Sequence, residues 1–270
     1  PLAYTYCQEV LGQPCVSQST YEYMNSSIPA CVSACNSCDG GNEWSCALGR
    51  AECNGAELDP YMETGLNPYD IRKQCPNGGL CYNFDAITTF LNRQDVMSAL
   101  GVDTNQVQQW QSCNYDVNGM FGNDWLRRFD ILVPDLLASD IRVLVYAGDM
   151  DFICNWLGNK AWTMQLQWPG KQTFNDAKDV PWTMNGKTVA WARSVAGRLT
   201  PIQFSFVRVH DAGHMVPMDQ PETALAMIKR FTRNQPFHYG GLLPTARESK
   251  TLITREFFLS FSMISLLFGE

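Results

Sequence analysis

Residues 143–148, Val-Leu-Val-Tyr-Ala-Gly, form an unbroken apolar run closed by a glycine. Such a run predicts a parallel strand covered on both faces. A second run, Ile-Gln-Phe-Ser-Phe-Val-Arg-Val (202–209), mixes alternation with β-branched residues and ends at the turn His210-Asp211-Ala212-Gly213-His214. Glu222 to Phe231 then places Leu225, Ile228 and Phe231 within one helical arc, with Pro221 early in the helix and Asp219 near its cap. Upstream, residues 82–102 carry apolar residues at helical spacing, with Asp85 and Asp95 as caps and Gly101 as a stop. A further helix is expected through 124–139, interrupted near Pro134. Residues 1–82 have few long periodic runs and are rich in Cys, Gly, Asn, Ser and Pro, so loops and short helices are expected there.

Strand, loop and helix, twice over, predict an α/β sheet. Reactive residues in such sheets sit just past the carboxyl ends of the strands. Asp149, Asp151, His210 and His214 all fall at that kind of position, and no internal repeat is visible.

Composition narrows the partners. Hydrophobic residues make up 45% of the 270, which excludes a disordered chain. A formal charge of -7 without a Lys/Arg cluster argues against nucleic acid or an anionic membrane, and favours a small or peptidic ligand. The apolar stretch 257–268 falls short of the ~20 residues of a spanning helix and reads as an irregular terminus. The chain starts at Pro1 without a leader, so an absent amino-terminal part is expected. Nine of the 11 cysteines lie within residues 7–81, which indicates a disulfide-stapled region made in an oxidising compartment. Zinc at the Cys35-x-x-Cys38 pair is the weaker reading, because no second pair has finger-like spacing. The sequon Asn25-Ser26-Ser27 fits the same compartment.

His214, on a glycine-bearing loop after a strand, can present its imidazole to a cleft, whereas His210 at the strand end suits a core or hydrogen-bonding role. His238, in a polar stretch, reads as exposed. A general-base histidine needs a carboxylate behind it, and position alone leaves Asp149 and Asp151 both open. A metal site or a glycosidase pair would use two acids at this spacing but would leave the histidine loop unexplained. No glycine in the chain begins a G-x-S-x-G motif, so acid and base lack a serine. Cys154, on the same turn as Asp151, is placed to line a cleft rather than to attack across it.

The stretches Tyr146–Trp162 (YAGDMDFICNWLGNKAW) and Gly213–Leu225 (GHMVPMDQPETAL) resemble the serine carboxypeptidases of the carboxypeptidase Y type. NPYDIRKQC (67–75), LCYNFD (80–85), QSCNYDVN (111–118) and DWL (124–126) extend the resemblance over most of residues 1–235. It implies an α/β-hydrolase fold, here its carboxyl-terminal part, with a disulfide-rich helical insertion at 1–82, the body of the hydrolase domain at 83–235 and a divergent tail at 236–270. It implies an exopeptidase that releases residues from peptide carboxyl ends, located in the vacuole, the lysosome or outside the cell. Cofactors and metals have no part in it. By position, Asp151 and His214 match the catalytic acid and base, and the serine would lie upstream in a missing amino-terminal half. Trp125, Ile153 and Cys154, a free thiol in the family, match the pocket before the scissile bond; Tyr69, Tyr82 and Met215 match the pocket beyond it. The implied disulfides are Cys75 with Cys81, Cys31 with Cys53 enclosing Cys38 with Cys46, and Cys7 with Cys15; Cys113 would pair with the absent half and Cys35 has no counterpart. An acyltransferase on the same scaffold and a non-catalytic or truncated relative are the alternatives.

Overall fold

A computed structural model of the chain describes residues 2–41, 43–75, 81–198 and 202–237. The expectations for His238 and for the tail beyond it lie outside the described residues. A π-helical turn, Leu2–Tyr6, leads into α1 (Cys7–Leu11), and α2 (Gln18–Asp39) and α3 (Glu43–Cys53) then form a helical hairpin. Ser17 caps α2, its hydroxyl accepting from the Thr20 amide. At 22 residues, α2 corrects the expectation of loops and short helices. Its Ser, Asn and Cys content and the internal Pro29 are poor local signals for helix. Pairing with α3 through Cys31–Cys53 and Cys38–Cys46 is what holds it. Closing the 22-residue separation of the outer bridge contributes roughly 3 kcal/mol, chiefly by restricting the unfolded chain. Cys7–Cys15 and Cys75–Cys81 tie the flanks.

A second π-helical turn, Asn54–Leu58, continues into α4 (Asp59–Met62), and a small hairpin follows, β1 (Leu66–Asn67) with β2 (Asp70–Gln74). The helix expected over 82–102 is two helices, α5 (Asp85–Leu91) and α6 (Gln94–Ala99). Asn92 breaks it, its side chain bonding the Trp110 backbone on both sides of the amide. Neither Asp85 nor Asp95 caps; Asp95 instead pairs with Arg93, while Gly101 ends the segment at φ 70°. After α7 (Tyr115–Met120), the helix expected from 124 reduces to a 3-10 turn and α8 (Val133–Ala138). Pro134 starts α8 rather than interrupting it, since its missing N–H costs nothing in a first turn.

The main sheet has the order β3-β6-β5-β4, built from β3 (Val143–Gly148), β4 (Val180–Met184), β5 (Lys187–Val195) and β6 (Phe204–Val209). β3 and β6 are parallel; β5 and β4 continue antiparallel. Between β3 and β4 run α9 (Trp156–Gln165) and α10 (Lys171–Asp176). Alternate strand residues face opposite sides. Val143, Val145, Phe204 and Phe206 pack with Leu137, Leu166 and Phe174, while Leu144, Val207 and Val209 pack on the other side. That second core is closed by α11 (Val216–Asp219) and α12 (Pro221–Thr232), through Ala224, Met227 and Phe231. Leu225 is 56% exposed, so the inward arc starts one residue earlier than its sequence pattern suggests. Asp219 does not cap α12, because its carboxylate accepts from the Gly213 amide at 2.8 Å. Arg142 instead secures the far end of that helix, donating to the Phe231 carbonyl at 2.8 Å. Among the described residues no helix is long and apolar enough to cross a membrane.

Candidate active site

The loops after β3 and β6 meet backbone to backbone. The Asp149 amide donates to Val209 O at 3.0 Å and the Met150 amide to Ala212 O at 2.9 Å. A Cβ on Gly148 would lie 2.2 Å from the carbonyl oxygens of Ala212 and Gly213, so only glycine admits this approach. The loops hold two acid–histidine pairs side by side, Asp151 Oδ2 with His214 Nδ1 and Asp149 Oδ2 with His210 Nδ1, each at 3.0 Å.

A third segment binds both loops. Pro68 O accepts from the Phe152 and Ile153 amides at 3.1 and 3.0 Å, Tyr69 O accepts from the His214 amide at 2.8 Å, and the Ile71 amide donates to Met150 O at 2.9 Å. Asn67, 2% exposed, shapes this strip, its side-chain oxygen accepting from the Tyr69 amide. Gly213 lies so close that a Cβ there would sit 2.3 Å from Tyr69 O. Beneath it Asp70 takes two bonds from Arg72, at 2.8 and 2.9 Å, and a third contact from Lys73 at 3.0 Å. Burial pushes the Asp70 carboxyl up, but these cations outweigh it and hold it below its ordinary value.

Asp151 is 2% exposed. Its other oxygen accepts from the Cys154 amide at 3.3 Å, and burial pushes its carboxyl up against that bond and the one from His214. Burial also opposes charge on His214, but the hydrogen bond and charge of Asp151, with a contact from the Cys154 thiol, push the imidazole up to about 10. In the neutral imidazole, Nδ1–H directed at Asp151 leaves the lone pair on Nε2, and the side chain is 30% exposed. The Cys154 sulfur lies within 4.8 Å of both the His214 and Asp151 ligand atoms and is almost fully buried.

Of the residues singled out from sequence, Tyr69, Ile153 and Cys154 gather in one apolar cluster with Leu58, and Tyr82 packs against it. Tyr82 also takes a hydrogen bond from the Met215 backbone, which brings Met215 to the same place. Trp125 stands apart from that cluster, under Arg50, whose guanidinium is 5.9 Å from its ring centroid. Cys113, Cys35 and Cys154 take part in no disulfide among the described residues. The amino-terminal segment reaches the His210 pair, since burial and the charge of Asp149 push the Tyr6 phenol up. Sequence reasoning missed Leu58, Tyr6 and the main-chain role of the strip 67–71, in which it named Tyr69 only as a pocket side chain. The strip acts through main-chain atoms that leave no side-chain pattern; for Leu58 the apolar residue just ahead of Asp59-Pro60 was the available signal.

Fold and site together define a mixed α/β protein that holds acid–histidine pairs at the carboxyl ends of adjacent parallel strands. The chain belongs to the serine carboxypeptidase family, whose model matches residues 3–234. It is 43% identical over 232 residues to carboxypeptidase Y homolog A of Podospora anserina, covering 84% of this chain and 40% of that protein. It is 42% identical over 226 residues to carboxypeptidase Y of Candida albicans, covering 82% of this chain and 40% of that one. The chain therefore spans about 40% of the length of the curated relatives it matches. In fold it is similar to the solved structure of Kex1(delta)p, a prohormone-processing carboxypeptidase from Saccharomyces cerevisiae, with a TM-score of 0.64 at 20% identity over 84% of this chain and 50% of that one.

Proposed function

We propose that this chain supplies the acid and base of a serine-type carboxypeptidase, the carboxyl-terminal part of an α/β-hydrolase whose serine lies outside these 270 residues. The observation that carries the reading is the Asp151–His214 bond, which commits Nδ1 and leaves Nε2 as the base. In the complete enzyme Nε2 takes the serine proton as the hydroxyl attacks the peptide carbonyl, and returns it to the leaving amino acid. Water then repeats the cycle on the acyl-enzyme. Buried Asp151 fixes the tautomer of the neutral imidazole and stabilises the imidazolium that forms from it. Asp149 and His210 hold the neighbouring strand ends and have no step in the chemistry.

Substrate would be a peptide with an apolar carboxyl end. Support for this is the cluster of Tyr69, Ile153 and Cys154 beside His214, with Tyr82 and Met215 at its edge. Trp125 lies outside that cluster and has no part in the pocket so read. The disulfides support an oxidising compartment, either vacuolar, lysosomal or extracellular.

Fluorophosphonate labelling, paired with hydrolysis of a blocked dipeptide, tests the reading. The native protein should be labelled at a serine outside this sequence, and the isolated chain should be unlabelled and inactive. Thiol-sensitive hydrolysis by the isolated chain would instead make Cys154 the nucleophile and overturn it.

A further inference from the structure

Cys31 and Cys35 are four residues apart on α2, so both side chains leave one face of the helix. Opposite them Cys53 ends α3. Cys31 and Cys53 are bridged and Cys35 is a free thiol, yet the three sulfurs all lie within 4.8 Å of one another. Cys35 is partly buried, and its other side packs against the apolar cluster of Cys38, Cys46 and Leu126. A free thiol held against a bridge in a fixed helical hairpin satisfies the proximity that thiol–disulfide exchange requires.

We propose that Cys31, Cys35 and Cys53 form an internal exchange site, at which the outer staple of the insertion steps one helical turn along α2, from Cys31–Cys53 to Cys35–Cys53. The Cys35 thiolate attacks Sγ of Cys53. The Cys53–Cys31 bond breaks, and Cys31 leaves with the electron pair and takes up the proton that Cys35 gave. One disulfide and one thiol are present before and after, so no oxidant or reductant is consumed. Burial raises the Cys35 thiol, which keeps the thiolate scarce and the exchange slow.

The step matters beyond the hairpin. Four residues of helix span about 6 Å, and Cys53 leads directly into Asn54–Leu58, whose last residue packs with Tyr69, Ile153 and Cys154. Two staple positions thus give two placements of Leu58 against the cluster beside His214.

Peptide mapping of the full chain under non-reducing conditions tests this. After hours at equilibrium and trapping with iodoacetamide, wild type should carry label divided between Cys35 and Cys31, and a Cys35–Cys53 linked peptide should accompany Cys31–Cys53. Cys35→Ser should abolish label at Cys31. Cys31→Ser should form Cys35–Cys53 while keeping Cys38–Cys46, the latter serving as the check that the hairpin has folded. Label at Cys35 alone in wild type overturns the proposal. So does a Cys31→Ser chain with Cys38–Cys46 intact and both Cys35 and Cys53 alkylated, or one in which Cys35 joins Cys38 or Cys46.

Discussion

His214 is joined to Tyr69 twice: its amide donates to the Tyr69 carbonyl at 2.8 Å, and its imidazole meets the phenol ring edge-on with centroids 5.2 Å apart. The first contact places the loop and the second places the ring. Tyr69→Leu keeps the first and removes the second. It should lower stability by about 1–3 kcal/mol, for lost aromatic contact and imperfect filling of a buried site. Histidine NMR should still find His214 titrating well above the ordinary value, since Asp151 remains. An ordinary pKa in this variant would mean that the tyrosine, and not the acid, sets the proton affinity.

Asp151→Asn is the complementary change. A histidine whose folded pKa is raised to about 10 contributes stability that is fully present below its ordinary pKa near 6.5 and is lost as pH rises from there towards 10. The asparagine variant should lose that dependence, so urea midpoints at pH 6 and pH 9.5 should converge relative to wild type. In the complete enzyme the same change should reduce kcat on the order of 10^4-fold, as expected when a triad loses its orienting carboxylate.

Asp70 works with the opposite sign. Its folded pKa is depressed, so its contribution is present above the ordinary carboxylate value of about 4 and disappears as pH falls through the lower folded value. Arg72 is a third exposed and Lys73 half exposed, which limits the effect to about 2 kcal/mol near neutral pH. Denaturant titrations of Asp70→Asn should show that loss at pH 7 and should meet the wild-type curve in strong acid.

Two glycines should respond in opposite directions to alanine. At Gly148 the new methyl meets two carbonyl oxygens at 2.2 Å, and the cost should be about 3 kcal/mol or more, read as a lower melting temperature. At Gly119, inside α7, nothing lies within 4 Å of the added carbon, and alanine should be stabilising by about 0.5–1 kcal/mol. Equal responses would mean that the loop contact at Gly148 is not a constraint.

The two parallel strands were legible because burial on both faces writes itself as a continuous apolar run, and the site was legible because acids and histidines follow those runs directly. Which acid serves which histidine was not. Asp149 and Asp151 are equivalent by position; the family resemblance matched Asp151 to His214, and the fold gives each acid its own partner. The hairpin of β4 and β5 was signalled by Asn185-Gly186, both at positive φ, the pair favoured in a two-residue turn. Pro181, tolerable on the edge strand β4, obscured it. Helix α2 escaped notice because its cross-bridges, and not its own residues, keep it helical.

The strip of residues 67–71 has a mechanical consequence. Acid loop and base loop each hang from it by main-chain bonds, so the spacing of Asp151 and His214 is insensitive to which side chains decorate the helical lobe above. Continuity of the chain there is another matter: a single peptide-bond cut between Pro68 and Ile71 would take the shared support from both loops and leave them only their direct bonds to each other, without touching either working residue of the site.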